Sequence, residues 1–166
     1  MKIILKQNSD SLAGKSNYVA ELDGNPVYLF EKTIIPFYSK YIIRGAENKV
    51  KIGQFEGNPN SLEYGAIIDL RNTEIHIDKV ETNKYKVVWM GAKSRSQMIK
   101  FESGLWKVYE NEVFVAEWSY QKIIKFGKKQ VVLSLSEDSD ILLPITYAVL
   151  FDIYRIKISF GWSSID

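Results

Sequence analysis

The chain has 166 residues, of which 46% are hydrophobic and 25% are charged, and its formal net charge is +2 at pH 7. This balance is typical of one ordinary globular domain spanning residues 1–166, and so small a net charge does not favour a nucleic-acid partner. Because the chain has no cysteine, disulfides, thiolate catalysis and cysteine-based metal sites are excluded. The opening MKIILKQNS has too short an apolar run for a signal peptide, so a cytoplasmic protein is expected.

Most of the chain is predicted to form short strands, because aromatic and β-branched residues alternate with polar ones between turn residues. In one such segment Tyr85, Val87 and Trp89 share a face, and Phe114, Ala116 and Trp118 share a face in another. Ser9–Ser16 and Lys32–Ser39 are expected to be loops or links. The predicted strands are Lys2–Leu5, Asn17–Leu22, Val27–Glu31, Lys40–Arg44, Lys49–Phe55, Tyr64–Leu70, Thr73–Asp78, Lys84–Met90, Gln97–Glu102, Leu105–Glu110, Val113–Trp118, Tyr120–Phe126 and Gln130–Leu135.

One segment near the C-terminus, Ile141–Phe151, is predicted to be a helix that is apolar on every side. Ser139 or Asp140 can cap it, and Pro144 is tolerable only in its first turn. Such a helix must be enclosed by protein or lipid, and this segment is shorter than the roughly 20 residues of a membrane span. We therefore expect a buried helix and no transmembrane segment, with Ile156–Phe160 forming a last strand or a ragged end.

These two observations predict a single architecture. About twelve strands are best accommodated by closing the sheet into a barrel, which removes exposed edges. A barrel of this size has an interior wider than its own side chains can fill, since filling is just complete at about eight strands. The apolar helix supplies the missing volume. The predicted fold is therefore mainly β, a closed antiparallel barrel of about twelve strands around a buried hydrophobic C-terminal α-helix.

Three stretches resemble the tubby C-terminal-like superfamily, which includes the LURP-one-related and phospholipid-scramblase-like proteins. They are residues 18–25 (YVAELDGN), residues 104–111 (GLWKVYEN) with 115–117 (VAE), and residues 142–156 (LLPITYAVLFDIYRI). The resemblance implies a twelve-stranded barrel around a C-terminal helix, similar to small bacterial members. Tubby proteins bind phosphoinositides, but their basic ligand residues cannot be matched here. The cysteine-rich segment and long membrane helix of scramblases are also missing.

Basic residues are concentrated between Lys84 and Lys129, where ten Lys or Arg accompany four Glu. Two predicted loops, residues 93–96 and residues 127–129, fall in this region, and if they lie on one rim they form a positive patch for an anionic phospholipid head group. The competing interpretation is that these are solvated strand faces and charged edges that block aggregation. The candidate head-group ligands are Lys93, Arg95, Lys125, Lys128 and Lys129.

Other candidate sites have simpler structural explanations. His76, the only histidine, is expected on the outer surface, and Asp138 and Asp140 are expected to cap the helix instead of binding calcium. Asp152 is expected to accept hydrogen bonds from backbone amides of a surrounding strand. No metal or cofactor is predicted. The aromatic residues expected to line the barrel are Tyr85, Trp89, Trp106, Phe114 and Trp118.

No G-x-S-x-G, P-loop or G-x-G-x-x-G motif occurs, so an enzyme is not predicted. The sequence favours a non-enzymatic binding or adaptor domain, peripheral at the inner face of the cytoplasmic membrane or bound to a protein partner. The alternative is a lipocalin-like barrel that carries a small hydrophobic ligand. That carrier would be hollow and would pack an amphipathic helix outside, whereas this helix is apolar all round.

Overall fold

The computed structural model describes residues 1–10, 15–35, 38–57, 65–92, 95–122, 129–137 and 140–161. Their backbone forms twelve strands and one helix. The strands are β1 (Lys2–Asp10), β2 (Lys15–Leu22), β3 (Asn25–Ile35), β4 (Tyr38–Gly45), β5 (Lys51–Gly57), β6 (Ala66–Leu70), β7 (Thr73–Glu81), β8 (Lys84–Trp89), β9 (Ser96–Glu102), β10 (Leu105–Glu110), β11 (Val113–Lys122) and β12 (Lys129–Leu135), and the helix is α1 (Leu142–Gly161).

Each strand pairs antiparallel with the next along the chain, and β1 pairs with β12 to close the barrel. The closing register places Ile3 opposite Leu133 and Leu5 opposite Val131. All four of these residues are buried, because alternate side chains of a strand point into a closed sheet. The predicted closed antiparallel barrel of about twelve strands is confirmed.

The helix lies within this barrel. All of residues 142–153 are buried, so no side of that part of the helix faces water. Phe151 packs against Tyr85 of β8, Trp106 of β10 and Trp118 of β11, with ring centroids 4.9, 4.7 and 5.6 Å away. The next helix residue, Asp152, accepts a hydrogen bond from the Tyr18 hydroxyl of β2. The apolar sequence of the helix thus matches an environment that is protein on every side.

The helix begins at Leu142, within the interval that the capping residues predicted. Asp140 Oδ1 accepts a hydrogen bond of 3.0 Å from the backbone N–H of Leu142, and Pro144 lies in the first turn. The helix continues to Gly161, so the expectation of a strand or ragged end at residues 156–160 is wrong. Once a helix is formed, each further residue adds a hydrogen bond, and no proline interrupts this one after its first turn.

Three strand boundaries also differ from those predicted. The polar residues of Ser9–Ser16 do not all form a loop, because Asp10 pairs with Lys15 at the end of the β1–β2 ladder. β3 and β4 extend through the expected link until Ile35 pairs with Tyr38. The most consequential difference is β11, which is one continuous strand to Lys122 where two strands had been expected. Pairing with neighbours on both sides keeps these segments extended, whatever their local polarity.

Phe114 does not line the barrel as expected. The pairing of β10 with β11 places Val108 opposite Ala116 and then Tyr109 opposite Phe114, so Val115 is an extra residue at a bulge. A one-residue slip reverses the direction of the following side chain. Phe114 is consequently 40% exposed and contacts Tyr109 edge-on, whereas Ala116 and Trp118 remain inside.

Because consecutive strands run in opposite directions, the connections alternate between the two ends of the barrel. We call the end at which α1 begins the top end. Met1 also lies at the top end. So do the strand ends joined by five connections, which are β2–β3, β4–β5, β6–β7, β8–β9 and β10–β11. The strand ends that flank the remaining connections lie at the bottom end.

Candidate functional site

Of the predicted head-group residues, the structure places Arg95 and Lys129, and these two do not lie together. Arg95 precedes β9 at the top end, whereas Lys129 begins β12 at the bottom end. The seven residues of β12 span roughly 20 Å of strand between the two ends. Lys93, Lys125 and Lys128 lie outside the described residues. A single positive rim built from both connections is therefore not supported.

Three other lysines of the basic region do lie side by side, on the outer wall of the barrel. Lys84 of β8 is opposite Lys100 of β9, which is opposite Lys107 of β10. Carboxylates accompany this row: Lys84 Nζ binds Glu81 at 2.7 Å, and Lys107 is opposite Glu117. The hydrogen bond and the charge of Lys84 lower the pKa of Glu81. The outer wall thus fits the competing interpretation of a solvated strand face.

Arg95 is held in a defined position at the top end. Its Nε donates a hydrogen bond of 3.2 Å to Glu110 Oε1, and its guanidinium lies 4.3 Å from the centre of the Trp89 ring. Cation–π contact and an ion pair together fix the plane of the guanidinium. The side chain is still 48% exposed, so the rest of this group is accessible to a ligand.

A polar chain connects this arginine to the buried helix. Gln97 Nε2 donates to Glu110 Oε2 at 2.8 Å, and the Tyr147 hydroxyl donates to Gln97 Oε1 at the same distance. Gln97 is 4% exposed and Tyr147 is fully buried. Burial raises the pKa of Tyr147 well above its ordinary value, so its hydroxyl keeps the proton that it donates. This series of hydrogen bonds fixes the position of Glu110 relative to the barrel interior, and Glu110 in turn fixes Arg95.

Arg95, Gln97 and Glu110 line a pocket of ≈ 320 Å³ between the start of the helix and strands β9–β11. Its lining is mixed. The other polar lining residues are Asn111, Ser136 and Asp140, and the apolar ones are Val113, Phe114, Val115, Leu143 and Pro144. This volume is at the lower limit of the range found for small-molecule sites.

Large apolar side chains are exposed on the same arc of the top end. Met90 follows β8 and is 52% exposed, while Val113 at the start of β11 is 67% exposed and Phe114 is 40% exposed. Glu112, on the turn before them, is an exposed carboxylate. Exposed apolar side chains at the ends of a folded domain mark interaction surfaces when they cluster.

Asp152 belongs to a second buried polar group, deeper in the barrel. Its Oδ2 accepts a hydrogen bond of 2.9 Å from the Tyr18 hydroxyl, a side-chain donor where backbone amides had been expected. Burial, followed by the charge of Asp152, raises the pKa of both Tyr18 and Tyr41. Because the helix extends to Gly161, Asp152 does not end it. The Tyr18–Asp152 hydrogen bond therefore links the buried part of the helix to β2.

The remaining polar candidates are surface or capping residues. His76 is on the outer face between two buried isoleucines, and its Nε2 lies 2.6 Å from Glu74 Oε1. Asp140 caps the helix, and Asp138 lies outside the described residues. Among the residues that the structure describes, no three histidine, aspartate or glutamate side chains converge as a metal site.

Sequence reasoning had not selected Gln97, Glu110 or Tyr147. Gln97 shares the inward face of β9 with Ile99, so its position in the alternation was a usable signal. The partners were not deducible, because Tyr147 lies 50 residues away along the chain.

Comparison with protein-family models, with curated proteins and with solved structures found no match. Within the described ranges, no helix combines the length and the apolar character needed to cross a membrane.

Proposed function

We propose that this protein is a non-enzymatic binding domain that docks peripherally on an anionic membrane surface in the cytoplasm through the top end of its barrel. The observation that carries the proposal is the group of exposed apolar side chains, Met90, Val113 and Phe114, around the partly exposed cation Arg95. Apolar tips beside a cation suit the boundary between acyl chains and head groups. An architecture of twelve strands around a helix also accords with a tubby-like family membership.

The expected free energy of association with the membrane can be estimated from these side chains. Each of the three is about half exposed, so its insertion contributes about half of the 1.5–3 kcal/mol of full burial, or roughly 2–5 kcal/mol in all. Arg95 adds less than the about 1 kcal/mol of an unpaired cation near an anionic surface, because Glu110 offsets part of its charge. Glu112 on the adjoining turn opposes that term. The sum corresponds to weak, reversible association that favours anionic lipid and decreases with salt.

The alternative of a hollow carrier has less support. Residues 142–153 of α1 occupy the interior, where Tyr147, Leu150 and Phe151 are buried among strand side chains. A hydrophobic ligand would have to displace part of this helix. A binding surface on the outside requires no such change.

Co-sedimentation tests the proposal with vesicles of phosphatidylcholine alone and of phosphatidylcholine mixed with phosphatidylglycerol. We expect binding to the mixed vesicles at low salt, a loss of binding in Met90→Glu, and stronger binding in Glu112→Gln. Val80→Glu is the matched control, because Val80 is 50% exposed but lies near the bottom end. Equal binding by the Met90 and Val80 variants, or no binding to either vesicle, would reject membrane docking by the top end.

A further inference from the structure

We infer that the pocket beside the start of the helix is a binding site for a small organic acid, with its carboxylate on Arg95 and its apolar body against Val113, Phe114 and Leu143. This inference goes beyond membrane docking, since such a pocket can bind a free acid in the absence of any membrane. It rests on which polar groups of the pocket are already engaged and which remain available.

Both carboxylates that line the pocket are committed to protein donors. Glu110 accepts from Arg95 through Oε1 and from Gln97 through Oε2. Asp140 Oδ1 accepts the hydrogen bond from the backbone N–H of Leu142, and Asp140 Oδ2 lies 3.5 Å from Arg71 Nη1. Their charges are balanced by these donors, so they are poor partners for a cationic ligand.

Arg95, in contrast, retains donors. A guanidinium carries five N–H groups, and the contact with Glu110 uses the one on Nε. The two Nη groups form the edge that binds a carboxylate through two parallel hydrogen bonds. Because the ion pair and the Trp89 ring already hold the guanidinium, a ligand does not have to immobilise a long side chain on binding.

The shape and lining of the cavity define the rest of the ligand. A volume of ≈ 320 Å³ admits a small molecule, and its lining includes the apolar side chains of Val113, Phe114, Leu143 and Pro144 as well as Arg95. A ligand that was charged throughout would leave these apolar side chains in contact with charged atoms. A hydrocarbon without a head group would leave the Nη groups of Arg95 without an acceptor. A carboxylate attached to an alkyl chain or a ring matches both kinds of group.

The test uses the full chain without vesicles and octanoate as the probe. Binding is measured by calorimetry and by amide NMR shifts, with methyl octanoate as the uncharged analogue. We expect octanoate to shift the amides of Asn111 and Val113 and the Trp89 indole N–H, and methyl octanoate to bind roughly tenfold more weakly or not at all. Equal binding of the acid and its ester, or shifts confined to the bottom end, would overturn the inference.

Two substitutions test whether Arg95 binds the carboxylate of octanoate. Arg95→Gln should lower octanoate affinity by roughly tenfold or more, as for the loss of a charge-assisted pair. Arg44→Gln is the matched control, because Arg44 also makes an arginine–glutamate pair, with Glu31 at 2.8 Å, away from the pocket. An undiminished affinity in Arg95→Gln would contradict the assignment. Met90→Glu should leave octanoate binding intact, so failure of membrane docking and failure of this site are distinguishable.

Discussion

Replacing Phe151 by alanine tests whether the helix fills the barrel. Its ring is 5% exposed and meets Tyr85, Trp106 and Trp118 edge-on, at interplanar angles of 75, 72 and 84°. Buried Phe→Ala substitutions cost about 3–5 kcal/mol. We expect the upper part of this range, about 4–5 kcal/mol, because three rings carried by three strands of a closed sheet cannot all move into the space.

Urea unfolding followed by tryptophan fluorescence measures this cost, and thermal unfolding should show a midpoint lower by roughly 8–20 °C. The control is Phe114→Ala, which removes the same side chain from a site that is 40% exposed and should cost less than about 1 kcal/mol. If Phe151→Ala costs no more than this control, the helix does not pack within the barrel, and the central claim about the fold is refuted.

Three further predictions concern buried polar groups. Burial raises the pKa of Tyr18, Tyr41 and Tyr147 above the ordinary 10.0, so the folded state keeps protons that the unfolded state releases. The free energy of unfolding should therefore be unaffected by these groups below pH 10. Above pH 10 it should fall by about 1.4 kcal/mol per pH unit for each tyrosine. Urea unfolding midpoints measured across that pH range show the decrease in stability. Titration of every tyrosine of the folded protein near its ordinary pKa would contradict the prediction. Gln97→Leu should cost about 1–3 kcal/mol in urea unfolding, because it leaves the Tyr147 hydroxyl without its acceptor, and adding Tyr147→Phe should recover part of that loss. Asp140→Ala removes the helix cap and should cost about 1 kcal/mol in the same assay, whereas no change would mean that the cap is replaced by water.

Local composition was sufficient to predict the helix and its surroundings. A segment that is apolar at every position has no face to present to water, so burial on all sides followed from residues 141–151 alone. Strand alternation was similarly informative for β8, where Val87 and Trp89 are buried and Lys86 is exposed. Both signals arise from short-range periodicity, which one stretch of chain contains in full.

The position of the basic loops could not be predicted because it depends on a count of strands. Three strands, β9, β10 and β11, separate the connection at Arg95 from the one before Lys129, so the two connections lie at opposite ends. Splitting β11 into two, as Val113–Trp118 and Tyr120–Phe126, makes the count even and places both loops on one rim. In an up-and-down barrel a single boundary error therefore moves a candidate site by the full length of a strand.

The chain by itself determined that this protein is a closed sheet of short strands around one apolar helix, because hydrophobic periodicity specifies which side chains must leave water. Only the tertiary structure decided which polar groups meet. It brought Gln97 to Tyr147, turned Phe114 outward through a bulge at Val115, and placed Arg95 beside Glu110 over a pocket. These contacts depend on the register between strands and on the position of the helix along the barrel axis, and long-range pairing fixes both.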